Sequence, residues 1–211
     1  MHLAVGGVLL EALSPAQSRQ ASVFVRLAAT LFMTLLTAAA AQVSVSIPFT
    51  TIPFTLQPTV VLLSGMVLGP RLGFVSQLLY LAAGAAGLPV FAASLTLPPG
   101  LGRLVGPSGG YLLSYPLAAL LTGWLSARGC DRRYLTSFAA MVAGLVVIYA
   151  GGLGWLTILG ATGGASVATA FGLALVAGFY PFVVADLLKI VLAAGALPAV
   201  WRVLRPYGRR G

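Results

Sequence analysis

Two opposite charges lie inside a long apolar stretch toward the C-terminal end of the chain, Asp186 and Lys189 within residues 180–194. On a helix the i, i+3 spacing places both side chains on one face, where they can neutralise each other. Each charge alone would cost about 2.5 to 3.5 kcal/mol in hydrocarbon, so the pair is expected to face protein or a ligand. A structural ion pair between helices is the alternative, and we favour a binding role.

Few other residues could do chemistry. The chain has one histidine, His2, one cysteine, Cys130, and only three acidic residues, which argues against most acid-base and metal mechanisms. A lone cysteine cannot form an internal disulfide. Because Lys189 is the only lysine, there is no Gly-Lys-Ser or Gly-Lys-Thr phosphate loop. The chain therefore cannot be its own ATPase, and we expect no catalytic residues, no metal and no cofactor.

Composition indicates an integral membrane protein. Hydrophobic residues make up 59% of the 211 and charged residues 7%, whereas soluble domains are about 25% charged. Apolar runs of near-spanning length recur along the chain, which predicts an all-α bundle and not a barrel. The net charge of +9 comes from basic residues at the ends of these runs, where they set topology. It does not indicate nucleic acid.

The sequence predicts six transmembrane helices with structured outer loops. A turn at Gly69-Pro70-Arg71 separates the second and third, because proline cannot continue the helical hydrogen bonds. The stretch 160–178, rich in glycine and alanine, is interpreted as an outer loop with a short re-entrant helix, or else as a seventh span. Residues 1–24 are predicted to form a cytoplasmic tail, residues 25–204 the membrane domain and residues 205–211 a basic cytoplasmic tail. The predicted spans are 25–43, 56–68, 72–86, 111–127, 135–159 and 181–204.

Basic residues orient this bundle. With six spans, Arg103 lies outside and Lys189 lies in the membrane, while the other ten basic residues share one side, which is then the cytoplasm. Both termini are therefore predicted to be cytoplasmic, in a bacterial cell (inner) membrane. The ten are Arg19, Arg26, Arg71, Arg128, Arg132, Arg133, Arg202, Arg205, Arg209 and Arg210.

Two outer loops are richer than simple connections. Residues 44–57 contain two Pro-Phe-Thr units, and residues 87–110 contain four prolines around Arg103. Long ordered loops of this kind often serve as lids. Since Asp186 and Lys189 come early in a span that starts outside, we expect a pocket below these loops that opens to the exterior.

Small and aromatic residues complete the sequence pattern. Thr30, Thr34 and Ala38 repeat at four-residue spacing, which permits close approach by another helix, although internal packing is the commoner cause of such a row. The glycines at the Gly69 turn are interpreted as turn and packing residues. Trp155 and Trp201 lie near span ends and are interpreted as interfacial anchors.

Several unusual strings follow one another along the chain. They are Ile52-Pro53-Phe54-Thr55-Leu56-Gln57, Gly69-Pro70-Arg71-Leu72-Gly73, Gln77-Leu78-Leu79-Tyr80, Gly87-Leu88-Pro89-Val90-Phe91, Gly106-Pro107-Ser108-Gly109-Gly110-Tyr111, and Pro181-Phe182 with Asp186-Leu187-Leu188-Lys189. Together these strings resemble the BioY family, the biotin-binding S components of energy-coupling factor (ECF) transporters, and the resemblance covers residues 26–204 in order. It implies a six-helix subunit that binds biotin from outside and docks on a module of two ATPases and a transmembrane coupling protein.

The resemblance also implies residue roles. Asp186 would accept from the ureido nitrogens of biotin, Lys189 would donate to an oxygen, and Arg103 would pair with the carboxylate. The row of Thr30, Thr34 and Ala38 would be the coupling surface, although resembling S components carry alanines there. Further predicted substrate-binding residues in the matching strings are Tyr111, Phe91 and Gln57.

Two readings compete with a biotin-binding subunit. One is a membrane enzyme that acts on a lipid or isoprenoid with Asp186 as base, but it lacks a second acid or a histidine nearby. The other is a structural scaffold, which leaves the intramembrane charge pair without a purpose.

Overall fold

The computed structural model of the protein describes residues 8–13, 19–45, 50–94 and 97–204. The described chain is mainly helical and packs around one main hydrophobic core. Its elements in chain order are α1 (Leu9–Leu13), α2 (Arg19–Gln42), β1 (Ser44–Val45), β2 (Phe54–Thr55), α3 (Gln57–Leu68), α4 (Pro70–Ala85), α5 (Gly102–Val105), α6 (Gly109–Ala127), a 3₁₀ turn (Cys130–Arg132), α7 (Tyr134–Thr162), α8 (Val167–Gly178), α9 (Val183–Ala193) and α10 (Ala196–Leu204).

Three helical segments of the described chain are long and apolar enough to cross a membrane by length and composition, namely Gln20–Gln42, Tyr134–Thr162 and Val183–Leu204. Two shorter apolar helices accompany them, Gln57–Leu68 and Val167–Gly178. Large apolar side chains cover much of the outer surface, as on Phe24 and Leu192. Lipid tails solvate such side chains as well as a protein core does, so this surface fits a membrane protein.

Most predicted span boundaries lie within a few residues of the helix ends, but two segments differ. The last predicted span, 181–204, is divided by a turn at Ala194 and Gly195 into α9 and α10. The stretch predicted as an outer loop, 160–178, contains the end of α7 and all of α8, which runs back along α7 with Ala170 beside Gly160. Apolar composition alone could not separate a loop from a short helix here.

The predicted N-terminal tail is partly ordered. Helix α2 starts at Arg19, before the predicted boundary at residue 25, because a helix can continue past the apolar run into polar surroundings. Helix α1 also lies inside the predicted tail. Val8 and Leu10, at its start, are buried against Leu68 at the end of α3. The basic tail, 205–211, lies outside the described residues.

Glycines bring α3, α4 and α6 into close contact. A Cβ at Gly65 would lie 2.1 Å from the carbonyl oxygen of Ala119, and one at Gly73 would lie 2.7 Å from the Cα of Gly65. Gly123 is equally tight, because its Cβ would lie 2.5 Å from the carbonyl carbon of Gly69. Gly69 has φ 82°, which favours glycine, and Pro70 starts α4. We call Gly65, Gly69, Gly73 and Gly123 the glycine seam. It confirms the predicted turn and packing role of Gly65, Gly69 and Gly73, whereas Gly123 was not predicted.

Helix α10 is fastened to the turn between α6 and α7. The indole nitrogen of Trp201 donates a 2.6 Å hydrogen bond to Oδ2 of Asp131, and the guanidinium of Arg132 lies 4.7 Å from the Trp201 ring centroid. Trp201 is only 6% exposed. Its interpretation as an interfacial anchor is therefore wrong, because proximity to a span end does not reveal a buried carboxylate partner.

Candidate binding site

A cavity lies among the segment around β2, α6, α7 and α9. The space between its walls is about 620 Å³, including open solvent at its mouth. Its wall is largely apolar and aromatic, with a few polar groups. Lining residues include Ile52, Phe54, Gln57, Phe91, Arg103, Tyr111, Tyr115, Tyr149, Phe182 and Asp186. We call it the binding cavity.

Asp186 is the acidic group of the binding cavity. It is 6% exposed, and each of its carboxylate oxygens accepts one hydrogen bond. Oδ1 accepts from Nζ of Lys189 at 2.8 Å, and Oδ2 accepts from the hydroxyl of Tyr149 at 2.7 Å. A carboxylate has about four lone-pair positions, so two more donors can bind.

Lys189 joins this carboxylate to β2. Its Nζ also donates to the carbonyl oxygen of Thr55 at 2.7 Å and lies 3.5 Å from the ring centroid of Phe54. Two of its three N–H donors therefore have partners among the described residues. The third has no hydrogen-bond acceptor among those residues.

A break in the helical chain places Asp186 at the binding cavity. Helix α8 ends at Gly178 and α9 starts at Val183, with Pro181 between them, where proline cannot continue the helical ladder. Asp186 consequently lies in the first turn of α9. The positive end of the helix dipole favours a carboxylate there.

Aromatic side chains rest on glycines around the binding cavity. Phe91 packs edge-on against Tyr80 at 5.4 Å and covers Gly84, where a Cβ would lie 2.1 Å from its ring. Tyr111 covers Gly152 in the same way. Its hydroxyl also donates a 2.8 Å hydrogen bond to the carbonyl oxygen of Gly178. The two glycines leave room for these rings, because a side chain at either position would overlap with the aromatic ring that covers it.

Polar contacts hold the loops over the binding cavity. Strands β1 and β2 pair as a short antiparallel ribbon, although residues 46–49 between them lie outside the described chain. Thr50 donates a 2.6 Å hydrogen bond to the carbonyl oxygen of Ala177 in α8. The indole of Trp155 donates to the carbonyl oxygen of Gly106 at 2.9 Å, so Trp155 ties α7 to the second loop.

Arg103 is engaged mainly with its own loop. It is 4% exposed, and its terminal nitrogens donate to the carbonyl oxygens of Leu97, at 3.1 Å, and Ala92. Its Nε is buried without a hydrogen-bond partner in the described chain. Burial lowers the pKa of this guanidinium.

The structure brings together the residues predicted to bind substrate. Five of the six line the binding cavity, and Lys189 adjoins it through Asp186. The amide nitrogen of Gln57 also donates to the hydroxyl of Tyr80. Tyr149 was missed, although a single phenol within an otherwise apolar span was a usable signal. The five are Asp186, Arg103, Tyr111, Phe91 and Gln57.

The predicted coupling row lies within the bundle. Thr30 is 4% exposed, and the hydroxyl of Thr34 donates to the carbonyl oxygen of Ser76 in α4 at 3.0 Å. Ala38 packs against the main core. The outer face of α2 instead carries large side chains such as Leu31 and Leu35. This placement favours internal packing, and a coupling role for the row stays a prediction.

Proteins similar to this chain bear transporter names. It is 41% identical over 158 residues to a probable biotin transporter BioY of Pyrococcus horikoshii, covering 75% of this chain and 85% of that protein. It is 39% identical over 150 residues to the biotin transporter BioY of Thermotoga maritima, covering 71% and 81%.

A solved structure shares the fold. It is the crystal structure of the S-component for biotin from an ECF-type ABC transporter, with a TM-score of 0.72 and 23% identity over 89% of this chain and 95% of that one. The sequence pattern of the BioY family matches residues 15–206. The chain therefore belongs to the BioY family.

Proposed function

We propose that the protein is the biotin-binding S component of an ECF-type vitamin importer and captures biotin from outside the cell. The observation that carries the proposal is the carboxylate of Asp186, held between Lys189 and Tyr149 in an aromatic cavity. The names of the BioY relatives support it.

The ureido ring of biotin fits the polar end of the binding cavity. It offers two N–H donors and one carbonyl acceptor, while Asp186 has lone pairs for two further donors and Lys189 has one further N–H. Hydrogen bonds to charged groups contribute about 1.5 to 3 kcal/mol each. The polar end of the binding cavity can thus replace the hydrogen bonds that the ureido ring makes to water.

The rest of biotin suits the remaining wall. Its valeryl chain would pack against apolar residues such as Ile52, Phe91 and Phe182. We propose that the carboxyl end of biotin lies toward Arg103 and away from Asp186, since like charges repel, while the guanidinium stays bonded to its own loop.

We further propose six membrane passages: α2, α3, α4, α6, α7, and α8 with α9 as one broken passage. Helix α8 runs back along α7 and α9 continues to Val191, whose carbonyl oxygen accepts from the hydroxyl of Tyr134 at the start of α7. Both termini then lie on the side richest in arginine, the cytoplasm, in a bacterial cell (inner) membrane. The partners would be two ATPases and a transmembrane coupling protein.

The enzyme alternative finds no support. The BioY relatives carry transporter names and no enzymatic ones.

The test is to purify the protein in detergent, release bound small molecules by denaturation and identify them by mass spectrometry. Calorimetric titration of ligand-free protein with biotin then measures affinity. We expect co-purified biotin and tight one-to-one binding. If the folded protein contains no biotin and shows no heat of biotin binding, the proposal fails.

A further inference from the structure

A second cavity adjoins the binding cavity. It encloses about 890 Å³, including its open mouth, and lies under the loop that joins α4 to α5. The two cavities share Phe91, Ala92 and Arg103 as wall residues. We call the second one the loop cavity. Its remaining wall combines prolines, such as Pro89 and Pro98, with the polar side chains of Gln42 and Ser94.

Arg103 stands in the shared wall with its guanidinium bonded to its own loop. Its two terminal nitrogens each donate to a loop carbonyl oxygen, those of Leu97 and Ala92, and Nε–H has no partner among the described residues. A guanidinium has five N–H donors, so three are not used by these two bonds. Each of the three can bind the carbonyl oxygen of an amide as well as a carboxylate oxygen. The shared wall therefore does not require a free carboxylate.

The direction of the ligand follows from the proposed function, on which this inference rests. The ureido ring lies at Asp186, and the carboxyl end reaches Arg103. A group attached to the carboxyl carbon would then extend into the loop cavity. Stiff apolar prolines and two polar side chains suit a linear alkyl chain with a polar end.

We infer that the loop cavity receives groups attached to the carboxyl carbon of biotin, so the protein binds biotin carboxamides with an extended alkylamine as well as free biotin. Biotinyl-lysine, in which the carboxyl group of biotin forms an amide with the lysine side chain, is the probe. In this arrangement the ureido ring determines which ligands bind, and the site accepts groups attached to the carboxyl carbon.

The experiment is calorimetric titration of the full chain in detergent with biotin and with biotinyl-lysine. Ala93 lines only the loop cavity and is exposed, so Ala93→Trp should fill this space without disturbing the fold. The matched control is Leu101→Trp, at an exposed position of the same loop that lines neither cavity.

We expect wild-type affinities for the two ligands within about tenfold, a difference of about 1.4 kcal/mol. Ala93→Trp should weaken biotinyl-lysine at least about tenfold and biotin less than about threefold, while Leu101→Trp changes neither. Tight binding of biotin without biotinyl-lysine overturns this inference and leaves the proposed function standing. An equal loss of both ligands in Ala93→Trp also overturns it, and binding of neither by the wild type overturns both proposals.

Discussion

Tyr149 donates a 2.7 Å hydrogen bond to Oδ2 of Asp186, joining α7 to α9 in the binding cavity. This bond orients the carboxylate of Asp186 toward the cavity, while Lys189 binds its other oxygen. Tyr149 is thus a positioning residue for the acid.

Tyr149→Phe should weaken biotin about fivefold, because a lost buried hydrogen bond costs about 1 kcal/mol. Calorimetry on the detergent-purified variant measures the change. Thr157→Val is the control, since its hydroxyl bonds within α7 to the carbonyl oxygen of Leu153. Unchanged affinity in Tyr149→Phe would show that Lys189 alone orients the acid.

Asp186→Asn or Lys189→Ala should lower biotin affinity at least about tenfold while the protein still inserts, since each removes charge-assisted bonds of about 1.5 to 3 kcal/mol. Leu188→Ala is the matched control, because this side chain of the same helix is exposed. Binding is measured by calorimetry and folding by size-exclusion chromatography. Wild-type affinity in both charge variants would refute the site.

Arg103→Ala should weaken biotin and biotin amide to a similar degree, because the guanidinium mainly holds the carbonyl oxygens of Leu97 and Ala92. The resemblance to the BioY family instead implied a carboxylate partner, for which biotin would lose more. Paired titrations decide between the two. A selective loss for biotin would mean that the guanidinium turns to the carboxylate when ligand binds.

Thr34→Leu should destabilise the isolated subunit by about 1 to 3 kcal/mol, because it inserts bulk between α2 and α4 and removes the bond to Ser76. Thermal unfolding in detergent, without any partner protein, measures this. Leu35→Ala, exposed on the same helix, is the control. If Thr34→Leu keeps wild-type stability but abolishes uptake in cells, the row couples to a partner.

Trp201→Phe should destabilise the protein more at pH 7 than at pH 4. Burial raises the pKa of Asp131, and the hydrogen bond from Trp201 opposes that rise. A raised folded-state pKa means that stability falls as pH increases from the unfolded-state pKa through the folded one. Removing the indole donor raises the folded-state pKa of Asp131 further. The extra loss of stability in Trp201→Phe therefore appears at pH values above the folded-state pKa of the parent. It disappears at low pH, where the Asp131 carboxyl is protonated in the folded parent and in the folded variant alike.

Thermal unfolding at the two pH values tests this. The control is the same substitution in an Asp131→Asn background, where the pH dependence of the Trp201→Phe effect should vanish. Equal destabilisation at both pH values in the parent would mean that Trp201 acts through packing alone.

The sequence was most informative where a residue type has a strong physical constraint. Gly69 and Pro70 predicted the turn between α3 and α4, and the isolated charges at 186 and 189 predicted a polar site facing inward. Both inferences hold because proline cannot continue a helix and hydrocarbon does not solvate ions.

Tertiary partners were not predictable in the same way. Nothing near Trp201 in the chain indicates Asp131, 70 residues earlier. Likewise, the bonds of Arg103 to loop carbonyls depend on the path of a proline-rich loop. The role of Thr34 was ambiguous for a different reason. A small residue suits packing inside the bundle and contact with a partner protein equally well.

The glycine seam has a mechanical consequence. Backbones that already touch cannot slide past one another, because close-packed interfaces switch between discrete arrangements instead of deforming. Helices α3, α4 and α6 therefore act as a fixed frame. We therefore expect the movement that admits or releases cargo where α8 and α9 meet at a break and where side-chain hydrogen bonds, such as that from Thr50, hold the loops over the binding cavity.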